Sequence, residues 1–477
     1  MIYNNSCKKI ARGMLALLVG SLMMTWEASG GEASVITPDM GRKPAAVPKR
    51  ANPPQPSPTS AHASQANGAE AVDGQKKSSV DNIIRIGIGD GVTKGVISSA
   101  NGMNALKGTD GHLYDEFKSN SVASVSAAEG KLFINGKKTG IATMVFTPVD
   151  GSGKGKIKYN GHEYRGQLVV SAAGSSLTIV NRLSLEDYLK GVLPSEMSPS
   201  WPGEALKAQA VAARTFTLYT KNQKAHFGSG YDLCDSTHCQ AYDGVENEED
   251  TSSAAVEATA GQIMTHEGKP IYAAFHSSSG GCTENSEDVW GNYLPYLRAV
   301  KDDDSKSPFH NWSVRFTAAE VQRLLSAAGK NIGQLKGVSM TTSGGSPDAH
   351  GIRRAKEVKF AGTGETIVLD AYEVRRIFGL KSTFFNIRTE RPVTLPPVKR
   401  DAKGTSTKKT IDTAPAAMHG AGLQVENASV AVIFDGHGFG HGLGMSQYGA
   451  KAMAESGKKY DGILHHYYTD IKISKLY

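Results

Sequence analysis

Between residues 81 and 182, short apolar-polar alternations dominate the chain. IIRIGIG, KLFINGKK, KIKYNGHEY, GQLVVSAAG and SLTIVNRL are rich in Val, Ile, Phe and Tyr, and turns such as Asn135-Gly136 and Asn160-Gly161 separate them. Period-two alternation broken by Asn-Gly pairs predicts half-buried strands joined by hairpins. Residues 81–182 are therefore expected to form a β-rich subdomain, a small barrel or sandwich. The pattern then changes. Leu185 to Tyr219 reads as helical, interrupted by a loop bracketed by Pro194 and Pro199 that carries Glu196. From Ala205 to Tyr219 the segment is apolar on every side, as buried helices are. Two polar residues in it stand out, Gln209 and Arg214, roughly 140° apart around the helix. Each needs a partner if buried.

Beyond this the periods mix. His226 to Tyr242 is irregular, Ser252 to Ala260 helical, and Ile271 to His276 a strand leading into the Ser/Gly-rich loop Ser277–Gly281. Ala318 to Gly329 is an amphipathic helix, Val338 to Leu369 is β-rich, and Tyr372 to Phe378 is a short helix. A strand at Ser429–Phe434 precedes the run GHGFGHGLG and a helix from about Ser446 to Ser456. The expected fold is α+β: a β-rich N-terminal part packed on a mixed helix/strand core spanning 183–477. Two stretches stand apart. Residues 31–80 (PKRANPPQPSPTS and neighbours) have too few large apolar residues to order themselves and read as a linker. Residues 390–422 have a similar composition and read as a mobile insert.

Composition adds a compartment. Lys8, Lys9 and Arg12, the apolar run Gly13–Thr25 and the small residues Ala28-Ser29-Gly30 make residues 1–30 a secretory signal. An exported protein, in periplasm or cell wall, is expected, with membrane attachment only if that signal is kept as an anchor. The chain has 477 residues and a formal charge of +7, part of it in the signal. No basic stripe interleaved with aromatics occurs, which argues against nucleic acid; a mild positive balance suits an anionic wall polymer. Outside the signal there are three cysteines, Cys234, Cys239 and Cys282. Their odd number leaves a thiol free or bound to metal.

The candidate chemistry sits in four places. Glu196, a carboxyl beside a buried helix, is a candidate general acid/base, since desolvation favours its protonated form. HSSSGGCTENSEDVW supplies His276, Ser277, Ser279 and Glu284, hydroxyls and small residues suited to lining a sugar cleft; it lacks G-x-S-x-G and so does not read as a serine hydrolase. GHGFGHGLGMSQYGA places His437 and His441 four apart, metal spacing on a helix, but its glycines argue against a helix and it lacks the lysine of a P-loop. In HFGSGYDLCDSTHC, His226, Cys234, His238 and Cys239 allow a structural zinc site. A Cys234–Cys239 disulfide is the rival, and the adjacency of His238 and Cys239 restrains the zinc reading.

SLEDYLKGVLPSEM, ALKAQAVAARTF, FHSSSGGCTENSEDVWG with PYLRAV, and GHGFGHGLGMSQYGA follow one another in an order that resembles the stage II sporulation protein D family, which includes the amidase enhancers. The resemblance covers roughly Ile83 to Tyr477. It implies a lytic transglycosylase acting on peptidoglycan strands lacking stem peptides, with Glu196 as the single catalytic glutamate and no cofactor needed for the chemistry. It implies that Arg214 binds substrate or holds the carboxyl, and it puts His441 and Gln447 in the cleft; Gln209, grouped with the substrate-binding residues, either orients the Glu196 loop by a hydrogen bond or is a satisfied core amide. Some members resemble the His/Cys pattern and bind zinc there. The resemblance equally supports a second function: a wall-binding protein that enhances an N-acetylmuramoyl-L-alanine amidase without cleaving glycan.

Overall fold

The computed structural model describes residues 82–150, 155–342, 353–390 and 431–477, together with the backbone of Leu423–Gln424. The expected signal, the linker and almost all of the 390–422 insert lie outside the described residues. The fold is α+β. It divides into two compact units, one running to Ser198 and including Lys224–Glu249, the other made of Pro199–Gln223 and Asp250–Tyr477. This differs from the single boundary expected at residue 182. Lys224–Glu249 returns to the β-rich unit because it pairs there. Leu233–Cys234 adds a parallel strand beside Ile83–Val92, Asp232 holds the Arg85 guanidinium at 2.7 Å, and Glu248 holds that of Arg165 at 2.6 Å.

The β-rich unit has two sheets. In the seven-stranded one the order is Leu233–Cys234, Ile83–Val92, Ser176–Ser184, Gln167–Ala173, Thr143–Pro148, Met103–Lys107 and Leu113–Phe117. The six-stranded one runs His162–Arg165, Lys156–Tyr159, Lys94–Ser98, Val122–Ala128, Lys131–Ile134 and Lys137–Lys138. Burial alternates along the strands as their pattern required: Ile84 and Ile86 are inside, Ile83 and Arg85 outside. Asn135-Gly136 and Asn160-Gly161 are the two-residue turns, all four residues at positive φ. The strand Ser176–Ser184 of the seven-stranded sheet feeds directly into α1, Leu185–Glu196. Ser184 caps that helix, its hydroxyl accepting from the Asp187 amide, and Glu186 and Asp187 sit favourably in the first turn.

The second unit holds α2 (Gly203–Gln223), α3 (Asp250–Ala258), α4 (Ser286–Trp290), α5 (Ala318–Ala327), α6 (Ala371–Phe378), α7 (Gln447–Glu455) and α8 (Tyr460–Tyr467). The all-round apolar α2 is buried from Ala205 to Thr215 except at Lys207, so small Ala side chains let its neighbours approach closely. A separate core gathers around Phe360, Phe378, Phe385 and Phe434, between α5, α6 and the strands Leu335–Thr342, Ala355–Gly362 and Ala431–His437. A short parallel pairing of Phe275–His276 with Met445–Ser446 brings the Ser/Gly-rich and the Gly/His-rich runs side by side.

Candidate functional site

Glu196 is not in a loop. It is the last residue of α1, half-buried, and Pro194 lies inside the helix. Pro194 has no amide proton to give the preceding turn, so the helix ends soon after it; the Met197 amide closes the end by donating to the Leu193 carbonyl at 3.0 Å. Two turns back, Tyr188 is fully buried. Its phenol is pushed far above the ordinary range, first by burial and then by the nearby ionisable groups of Cys239, Tyr242, Glu196 and Cys234. Tyr188 thus stands close to both the carboxyl and the cysteine pair. Its hydroxyl donates to Gln240 Oε1 at 3.3 Å, and its ring lies 5.0 Å from that of Tyr242. Tyr242 in turn donates to Asn181 Oδ1 at 2.8 Å and packs where Gly191 of α1 has no side chain.

The segment that carries Gln240 and Tyr242 also gathers His226, Cys234, His238 and Cys239, whose ligand atoms all lie within 4.8 Å of one another. His226 Nε2 is 3.2 Å from Cys239 Sγ, and His238 Nδ1 is 3.6 Å from each sulfur. A turn closed by the Cys239 amide on the Ser236 carbonyl lets the adjacent His238 and Cys239 point at one centre. Both cysteines are free thiols. The contact with Cys239, the largest cause, holds the Cys234 thiol down to about 4, while Cys239 is driven up. Two sulfurs and two imidazoles in this geometry fit tetrahedral zinc, and four protein ligands leave no open position.

In the second unit, His276 and His441 do come together, ring centres 5.3 Å apart, with Trp290 5.4 Å from His441. His276 donates from Nδ1 to the Leu443 carbonyl, and the Leu443 amide donates to His441 Nδ1 at 3.0 Å. Burial holds His441 down to about 3 and His276 well below its usual value, so both rings are neutral. The glycines between the histidines are there for space. At Gly440, φ is 122° and a Cβ would lie 2.6 Å from that of His276. His437 ends a strand with its ring against Phe384, so the two histidines of the run share no helix face.

Several expected cleft residues have structural employment instead. Arg214 is fully buried and donates to the Val256 carbonyl at 3.2 Å and the Gln262 carbonyl at 3.1 Å, bracing the end of α3. It has no exposed surface with which to hold a substrate. Ser279 is fully buried and donates to Asp302 at 2.6 Å; Glu284 is buried with its carboxylate 3.9 Å from Arg354. Gln209 is also fully buried, and its amide has no hydrogen-bond partner among the described residues. Gln447 opens α7 and is nearly buried, and Ser277 receives the Tyr448 amide on its carbonyl at 3.0 Å. The residues that organise this loop frame were passed over in the sequence. Asp304 is buried and receives the Ser278 hydroxyl, the Gly280 amide at 2.8 Å and His310 Nδ1 at 2.7 Å. The run Lys301–Asp304 directly after the apolar PYLRAV was the available signal, since a carboxylate following a buried segment must be satisfied inside.

Among known proteins, the family model for SpoIID, stage II sporulation protein, matches residues 173–266. That range contains Glu196 and all four His/Cys residues. Stage II sporulation protein D of Bacillus subtilis is 32% identical over 317 residues, which is 62% of this chain and 76% of that protein. An uncharacterised protein of Brachyspira hyodysenteriae is 29% identical over 73% of this chain and 82% of its own length. The amidase enhancer of Bacillus subtilis is 31% identical over 75% of this chain, but the match spans only half of that longer protein.

Proposed function

Because the chain belongs to the stage II sporulation protein D family, we propose that it is an exported lytic transglycosylase of peptidoglycan in which Glu196 is the acid and base. The observation that carries this reading is the seat of Glu196: a half-buried carboxyl at the end of a helix whose buried face is keyed to the His/Cys segment through Tyr188 and Tyr242. In the reaction, the Glu196 carboxyl protonates the glycosidic oxygen between muramic acid and the next sugar as the C1–O bond breaks. The carboxylate then takes the proton of the muramic acid 6-hydroxyl as that oxygen bonds to C1. The product is a 1,6-anhydro end, and Glu196 returns to its protonated state. No water is added, so a second carboxylate, required when water or an enzyme nucleophile attacks, is dispensable.

His226, Cys234, His238 and Cys239 would hold zinc, which at a closed four-ligand site supplies folding energy rather than a reacting water. What these residues do for the reaction is to fix the segment against which α1 packs. The test is digestion of glycan strands freed of stem peptides by the full chain. Anhydro-terminated products that disappear in Glu196→Gln, with the variant's melting temperature unchanged, support the enzyme. A well-folded wild type that releases no anhydro ends refutes it.

The resemblance to a relative named amidase enhancer favours a second reading, in which the same surfaces bind the wall or an amidase without cleaving glycan. Stimulation of an N-acetylmuramoyl-L-alanine amidase that is equal for wild type and Glu196→Gln supports it.

A further inference from the structure

We infer that the second unit carries a glycan-binding strip of aromatic rings, distinct from the carboxyl of Glu196, that recognises carboxylate-bearing amino-sugar strands. The identity of the ligand rests on the peptidoglycan reading above; the strip itself rests on geometry.

Four part-exposed rings form an unbroken row. Trp201 lies 4.8 Å from Tyr448, Tyr448 lies 6.4 Å from Phe309, and Phe309 lies 5.0 Å from Phe439, each pair edge to face. They come from three separate regions of the sequence, at Trp201, Phe309 and the run holding Phe439 and Tyr448, so the row is built by the fold and is not a local accident. A pyranose in a β-linked strand has an apolar face of C–H bonds, and a continuous run of part-exposed aromatic carbon is a surface that such a face covers without leaving polar groups unpaired.

Two ammonium groups also sit over the row. Lys381 Nζ is 5.4 Å from the Phe309 ring centre and 5.9 Å from that of Phe439; Lys451 Nζ is 5.2 Å from that of Trp201. Lys451 shares Glu455 with Lys306, but Lys381 has no ion pair among the described residues. An ammonium over two part-exposed rings is a seat for a ligand carboxylate, and muramic acid bears one on every second sugar. Beside Phe309, His310 offers a third kind of contact. The Asp304 carboxylate can only accept, so it fixes a proton on His310 Nδ1 and leaves Nε2 on a part-exposed ring. That nitrogen is available to a hydrogen bond with a polar group of the sugar.

The strip is rigid before anything binds. Phe439 exchanges both backbone hydrogen bonds with Ser278, the Gly438 amide donates to the His310 carbonyl, and the Tyr448 amide donates to that of Ser277. Side chains ordered in advance lose little entropy on binding.

The experiment titrates full-length protein carrying Glu196→Gln, which blocks turnover, with a peptide-free tetrasaccharide containing muramic acid and with neutral chitotetraose. The acidic strand is expected to bind about tenfold more tightly, with the difference vanishing in high salt. Adding Lys381→Glu should erase that preference and leave the melting temperature unchanged. Phe439→Ala should weaken both ligands about fivefold; if it disturbs folding, Phe439→Leu keeps the bulk without the ring and should give the same loss. Retention of the preference in Lys381→Glu, or wild-type binding in both Phe439 variants, overturns the strip. Strip-dependent binding by a protein that releases no anhydro ends refutes the reaction alone. Anhydro release without strip-dependent binding refutes the strip alone.

Discussion

Gly191 is where the packing of α1 against the His/Cys segment can be tested with one methyl group. A Cβ there would lie 2.6 Å from Tyr242 Cε2 and 2.7 Å from the Gly244 carbonyl oxygen, both closer than nonbonded carbon allows. Neither neighbour is free to yield. Tyr242 is held by its bond to Asn181 and by ring contacts with Tyr188 and Tyr164, and Gly244 O belongs to the backbone. In an exposed helix, Gly→Ala would stabilise by about 1 kcal/mol. Overpacking of a filled site costs about 1–3 kcal/mol, and the rigid carbonyl puts this case at the upper end. Gly191→Ala should therefore destabilise by about 1–2 kcal/mol net, lowering the melting temperature by roughly 3–6 °C. Because Tyr242 sits three residues from Cys239, zinc should also be held less tightly, by about fivefold in competition with a chromophoric chelator. Calorimetry and that competition read the two effects separately. A variant that melts at or above wild type and keeps its zinc affinity would show that α1 and the His/Cys segment are not keyed together here.

His276 and His441 give stability a pH dependence of defined sign. Folded His441 titrates at about 3 and His276 is also lowered, whereas both take up protons near 6.5 once unfolded. Between those values the unfolded chain binds more protons, so this contribution is full above about 6.5 and is lost as pH falls toward 3. Melting temperature should drop between pH 7 and 4.5, and His441→Asn should flatten the slope; a flat wild-type profile would contradict the assignment. Arg214→Met should cost about 3 kcal/mol or more in chemical denaturation, because the Val256 and Gln262 carbonyls lose a charged donor inside the core. A folded Arg214→Met that only raises KM would restore a substrate-binding role. Chelation should lower the melting temperature of wild type but not of Cys234→Ser/Cys239→Ser, while Cys282→Ser retains full zinc content by atomic absorption.

Local physics was readable where one segment determines its own conformation. The hairpins at Asn135-Gly136 and Asn160-Gly161 follow from residues that tolerate positive φ, and the burial of α2 follows from its lack of a polar face. The sequence was misleading where a tertiary contact overrides the local signal. Prolines bracketing Glu196 suggested a loop, yet Pro194 is accommodated inside the final turn of α1, which ends two residues later. Arg214 looked available to a ligand because nothing in its own segment revealed that the end of α3 would present carbonyls to it. Asp304 is satisfied by Ser278 and Gly280 from a different loop, and the row from Trp201 to Phe439 joins residues more than a hundred positions apart, for which periodicity carries no information. The four zinc-type ligands were visible by residue type, but only the turn at Ser236–Cys239 reconciles adjacent ligands with one centre.

These placements separate two kinds of defect. Glu196, Tyr188, Gly191 and the His/Cys group belong to the β-rich unit, while the aromatic row, Lys381 and the paired histidines belong to the other. If proton transfer depends on Glu196 and strand capture on the rings, changes behind α1 should depress kcat with little effect on KM. Changes in the ring row should raise KM and leave kcat at saturating strand concentration near wild type. Tyr188→Phe is the sharpest member of the first group, since it removes one hydroxyl that donates to Gln240 and leaves the ring packing on Tyr242 intact. A loss of kcat in Tyr188→Phe with unchanged KM and unchanged zinc content would place that hydroxyl in the support of Glu196. A loss confined to KM would refute the assignment of capture and chemistry to different units.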